Sequence, residues 1–167
     1  MHTPRGSGFP TGYTFILWGP SFDESAAIVF ATTLRRDGLC VKLVGVNRPY
    51  AVGQNGITLQ SDLSITDMVG LMDQTICVVV PCNYGVYQRI AHDPRLHEFF
   101  AGIAHSAVPV VIHESIDLEE AGLLVAPCRE NLYVYANDDE LMRFARQIRV
   151  QLWNNWSQAS PVKNFSH

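Results

Sequence analysis

Five short runs that are apolar almost throughout constrain this chain more than any other feature: Tyr13 to Trp18, Leu39 to Val46, Thr75 to Val80, Val108 to Ile112 and Leu132 to Ala136. A strand with apolar side chains on both faces needs cover on both faces, which is the condition of a parallel sheet flanked by helices. The segments between the runs supply such helices. After the first run, Gly19-Pro20 breaks the strand and Ser21-Phe22-Asp23-Glu24 has the form of a capping box, with Ser21 as cap and Glu24 reaching back to it. Ala26, Ala27, Val29, Phe30 and Leu34 then recur at helical spacing up to a stop at Asp37-Gly38, and the second run completes a strand–helix–strand unit.

Further along, Gly56 to Asp62 looks like a short extended piece and Ile65 to Met72 like a short helix or turn. Asn83-Tyr84-Gly85 has the composition of a turn. Pro94, just after Asp93, can open a helix that carries Leu96, Phe99, Phe100 and Ile103 inward. A weak helix is expected around Asp117 to Ala121, and a terminal one from about Asp138, capped by Asn137 or Asp138, to Trp153. Strands alternating with helices argue for a doubly wound, mostly parallel α/β sheet with ligands at the carboxyl ends of its strands. Residues 1–12 read as a flexible N-terminal segment, 13–153 as one domain and 154–167 as a tail that docks on the domain or on a second subunit.

Composition narrows the partners. The 167 residues suit one core, and an apolar fraction of 47% with 17% charged residues describes an ordinary globular chain. The net charge is −4 and the densest basic run is Arg35-Arg36, followed at once by Asp37, so neither nucleic acid nor an anionic membrane is expected as a partner. The first ten residues lack the pattern of a signal peptide and no apolar stretch is long enough to span a bilayer, so a cytoplasmic location is expected. Cys40, Cys77, Cys82 and Cys128 are scattered without a C-x-x-C pair, which suggests reduced thiols rather than a zinc knuckle or a disulfide framework.

Four stretches, in order, carry a resemblance: Ser21 to Glu24, Gly56 to Asp62 with Asp67, Val78-Val79-Val80-Pro81, and Val110 to Ser115 with Ala121-Gly122-Leu123-Leu124. Together they resemble the ThiJ/PfpI family of the class I glutamine amidotransferase-like superfamily, which includes the parkinsonism-associated deglycase. The resemblance implies a flavodoxin-like sheet with helices on both faces, no cofactor, a homodimer as partner, an acidic residue at Glu24 and a nucleophile elbow within Val110 to Ser115. This chain departs from the family at the elbow. His113 stands where the family has its cysteine, Glu114-Ser115 replace the small residues behind it, and Cys82-Asn83 follow Pro81 in place of two glycines.

Each candidate residue has a functional and a plain reading. Glu24 is either a carboxylate over the elbow, available as acid or base, or a helix-capping residue. His113, at the end of an apolar strand, can act as base, acid or ligand, but an imidazole does not copy a thiolate's thioester chemistry. Cys82 could bring a thiol to the same cleft or lie inert in the core. Ser115 lacks Gly-x-Ser-x-Gly surroundings for a nucleophile; with Asn83, Tyr84 and Glu114 it is a candidate ligand contact. No metal site is indicated, since His113 and Glu114 are adjacent and have no evident further ligands.

Two functions follow. The chain is either a binding, regulatory or assembly module for an unknown small molecule, or a hydratase-, hydrolase- or isomerase-type enzyme whose site is rebuilt from Glu24 and His113 as an acid–base pair, with Cys82. A phosphoreceiver domain shares the sheet but needs acidic residues after its first strand and an aspartate after its third, where this chain has Trp18-Gly19 and Pro81-Cys82.

Overall fold

The apolar runs become the strands of one sheet in the computed structural model, which describes residues 11–116, 125–136 and 140–159. In chain order the elements are β1 (Tyr13–Trp18), α1 (Glu24–Arg36), β2 (Cys40–Gly45), β3 (Tyr50–Val52), β4 (Thr58–Gln60), β5 (Leu63–Ser64), α2 (Ile65–Gly70), β6 (Thr75–Val80), α3 (Tyr84–Ile90), α4 (Pro94–Ile103), β7 (Val110–His113), β8 (Leu132–Tyr135) and α5 (Leu141–Ala159). The main sheet runs β5-β2-β1-β6-β7-β8 with every pairing parallel, and β3 and β4 form a separate antiparallel hairpin. Leaving aside the two-residue β5, the order is that of flavodoxin-like sheets, in which the chain reverses direction between the first strand and its central neighbour, here β1 and β6.

Alternation along the strands builds two cores. Phe15, Leu17, Val78, Val80, Val110 and Ile112 face one side and pack with Leu96, Phe99 and Phe100 of α4. Ile16, Trp18, Cys77, Val79 and Val111 face the other and pack with Phe30 of α1 and with Ala145, Ile148 and Leu152 of α5. Each large side chain so buried contributes about 1.5–3 kcal/mol relative to exposure.

Three local expectations are corrected and one element is added. Ser21 is not the cap of α1: its φ of 63° takes it out of cap geometry, and Asp23 caps instead, its Oδ1 accepting from Ala26 N at 3.0 Å. Glu24 is therefore the first residue of the helix rather than the third. Asn83-Tyr84-Gly85 is not a bare turn, because Asn83 Oδ1 accepts from Val86 N at 3.1 Å and opens α3. The hairpin strand β3 was absent from the sequence reading altogether. Finally, α5 does not stop at Trp153 but continues to Ala159, helped by a Gln151–Asn155 side-chain bond and by the Ser157 hydroxyl donating to Trp153 O. The expectations for residues 117–124, for a cap at Asn137 or Asp138, and for residues 1–10 and 160–167 fall outside the described residues. No helix among the described residues is long and apolar enough to cross a membrane.

Candidate functional site

The carboxyl ends of β1, β6 and β7 are laced together by their outgoing loops. Asp23 N donates to Pro81 O at 2.8 Å, tying the start of α1 to the end of β6. Tyr84 N donates to the Ser115 hydroxyl at 3.2 Å, tying the start of α3 to the turn after β7, and Glu114 N donates to Tyr135 O at 2.9 Å. Glu24 and His113 thus stand along the same edge of the sheet, with β6 between their strands.

Their side chains are engaged separately. The β3–β4 hairpin folds over the first turn of α1, where Gln54 N donates to Phe22 O, and its tip aims two backbone donors at Glu24. Glu24 Oε1 accepts from Asn55 N at 2.6 Å and from Ile57 N at 3.4 Å, while Oε2 is buried without a hydrogen-bond partner among the described residues. Burial pushes this carboxyl upward, but the backbone donors of Glu24 itself, Asn55 and Ile57 outweigh it and hold the group below the usual glutamate range. Gly53 is what lets the hairpin come so close: a Cβ there would lie 2.5 Å from Glu24 Cδ and 2.8 Å from Oε1. The tip then turns through Gly56, whose φ of 87° suits a residue without a side chain.

His113 is half-buried, with its ring edge-on to Tyr135 at 5.1 Å. Ser115 N donates to Nδ1 at 3.0 Å and the Ser115 hydroxyl lies 2.7 Å from the same nitrogen. An N–H donor needs a lone pair, so the neutral ring carries its proton on Nε2. The ¹⁵N spectrum of His113 is accordingly expected to show the Nε2–H tautomer, and a neutral ring protonated on Nδ1 would contradict the contact with Ser115. Among the described residues no hydrogen bond or ion pair joins Glu24 to His113.

Cys82, at the end of β6, is fully buried in the core on the α4 side. Burial, reinforced by the negative charge of Asp23, pushes its thiol up to about 12. Asn83 is exposed, but its side-chain oxygen is committed to capping α3. Tyr84 is half-buried and its hydroxyl accepts from Gln88 Nε2 at 2.8 Å; Glu114 and Ser115 are exposed beside His113. Among the described residues no group of three His, Cys, Asp or Glu side chains could hold a metal ion.

A scan against family models finds no match, and a search of curated proteins finds none either. Solved structures do match. Oxidized DJ-1 from Toxoplasma gondii superposes with a TM-score of 0.73 at 16% identity, covering 86% of this chain and 91% of that one. The chain has the fold of the DJ-1/ThiJ/PfpI superfamily. Drosophila melanogaster DJ-1beta superposes with a TM-score of 0.72 at 15% identity, over 85% and 90% of the two chains. A two-domain Anabaena variabilis protein with DJ-1/ThiJ/PfpI-like and ferritin-like domains gives 0.68 at 17% identity, over 84% of this chain and 50% of that one. The DJ-1-type fold accounts for the position of Glu24 after β1, Cys82 after β6 and His113 at the end of β7. A cavity lies farther along the same edge, beyond the end of β2, and its lining residues Arg48 and Tyr50 belong to no motif. The available signal was their place in a Pro-containing loop directly after a buried parallel strand.

Proposed function

We propose that this chain is a DJ-1/ThiJ/PfpI-type domain without a cysteine nucleophile, serving as a non-catalytic small-molecule-binding, regulatory or assembly module in the cytoplasm, with a homodimer as the expected assembly. One observation carries the reading: an imidazole ends β7, and Cys82, at the end of neighbouring β6, is shut in the core with its thiol pushed up to about 12. At neutral pH roughly one such thiol in 10⁵ is ionised, and the thiolate is the nucleophilic form. Glu24 adds support, since its ionised form already serves two backbone donors of the hairpin.

The experiment is to assay glyoxalase, deglycase and peptidase turnover before and after alkylation of the native protein. Cys40 is exposed and is expected to be alkylated, whereas Cys77, Cys82 and Cys128 are buried and should resist. Turnover should be at background in both samples. Robust turnover that Cys82→Ser abolishes would overturn the reading.

The alternative, an acid–base hydratase, hydrolase or isomerase built on Glu24 and His113 with Cys82, draws on the Ser115 hydroxyl held against the His113 imidazole, a contact from which proton transfer could start. It predicts alkylation-insensitive turnover lost in His113→Gln.

A further inference from the structure

The loops that leave β1 and β2 enclose a cavity of about 530 Å³ at the carboxyl edge of the sheet. That is within the usual range for small-molecule sites, roughly 300–1,000 Å³. Its wall is apolar where Pro20, Ala51 and Val52 contribute, and polar where Ser21, Arg48 and Tyr50 do. We infer that this cavity binds a small organic acid, with the carboxylate on Arg48 and a flat apolar body against Pro20, Ala51 and Val52. The inference rests on the reading of the chain as a binding module and names the class of its ligand.

Four observations converge. Arg48 is the one ionisable cation or anion of the wall other than the phenol of Tyr50, and among the described residues its guanidinium has no hydrogen-bond or ion-pair partner. The polar groups of the wall are rich in donors: the guanidinium and the Ser21 and Tyr50 hydroxyls. Trp18 Nε1, in the layer behind this wall, is fully buried without a partner among the described residues, a polar group left unsatisfied next to the cavity. Ser21 holds a φ of 63°, unfavourable for a serine, and its N–H is bonded to Val52 O at 2.9 Å, so a strained turn is held fixed in the wall.

A second cleft of about 360 Å³ lies on the other side of the 46–48 loop and also touches Arg48. Arg95 lines it too, but its guanidinium is held by Asp93, and with Asp62 and Asp67 also in the lining this cleft suits an anion less well. Asp62 is bonded to Arg35 and Asp67 to Ser64, so these carboxylates are fixed there. An acid held by Arg48 is therefore directed into the larger cavity.

The test titrates the full chain with 2-naphthoate and with its neutral isostere 2-naphthamide, by calorimetry and by ¹H–¹⁵N spectra. Saturable one-to-one binding of 2-naphthoate is expected, about tenfold tighter than 2-naphthamide, the step a charge-assisted hydrogen bond supplies. Arg48→Gln should abolish the preference for the acid, while Arg146→Gln, on α5, should preserve it. Trp18 is too deeply packed to substitute safely, so its indole N–H resonance is followed instead and should shift on adding 2-naphthoate. Equal binding of acid and amide, a preference that survives Arg48→Gln, an unmoved Trp18 resonance, or no saturable binding at all would each overturn the inference. A chain that binds 2-naphthoate through Arg48 yet turns over substrate through Cys82 would keep this site and lose the non-catalytic reading; no turnover and no binding would do the reverse.

Discussion

Phe30→Ala is expected to destabilise the protein by about 3–5 kcal/mol, the range for deleting a buried aromatic ring. Phe30 is fully buried on the inner face of α1 and meets two rings edge-on, Tyr135 of β8 at 5.6 Å and Phe144 of α5 at 6.3 Å. It therefore joins the first helix, the last strand and the last helix, and its loss leaves a cavity that none of the three can fill alone. In a domain of this length the melting temperature should fall by roughly 6–20 °C. Tyr135 also backs the His113 ring, so the resonances of His113 should move in this variant even though Phe30 lies on α1. Phe30→Leu, which keeps most of the volume, should cost far less. A loss below about 1 kcal/mol in Phe30→Ala, measured by urea unfolding, would mean that α5 does not close this side of the sheet.

The sheet was legible because its evidence is local. Thr75 to Val80 cannot be a half-exposed strand, and Pro94 after Asp93 announces a helix whatever surrounds it; both elements stand where the residues indicated. The first turn of α1 was misread for the opposite reason. Ser21 has the right chemistry for a cap, but its conformation is set by a hydrogen bond to Val52, thirty-one residues on, and with Ser21 so turned Asp23 becomes the cap. The role of Glu24 was hidden in the same way. Sequence brings it near His113 by analogy of position, whereas the groups that occupy it are the amides of Asn55 and Ile57 at the tip of a hairpin whose first strand is only three residues long. Backbone donors carry no side-chain signature, so a site completed by them escapes motif reasoning even when every side chain in it has been named.

Gly53→Ala is expected to cost about 2–4 kcal/mol, and the cost should nearly vanish when Glu24 is Ala as well. The added methyl overlaps the Glu24 carboxylate, which must leave the amides of Asn55 and Ile57, and a buried carboxylate deprived of its donors costs about 1–3 kcal/mol or more. Glu24→Ala alone removes the same two hydrogen bonds that fasten the hairpin, so the double variant loses little more than either single one and the cycle should show a coupling of at least about 1.5 kcal/mol. Charge gives an independent check. Because the folded carboxyl is held below its ordinary range, the unfolded chain binds the proton more readily. Glu24 then stabilises the fold above the usual glutamate range, and this contribution is lost as pH falls through the folded-state value. Glu24→Gln should flatten that part of the acid limb of the stability profile while keeping an acceptor for Asn55. Additive costs in the cycle, together with an acid limb unchanged in Glu24→Gln, would show that the hairpin is not fastened through this carboxylate, and would return Glu24 to the sheet edge as a group free to act with His113.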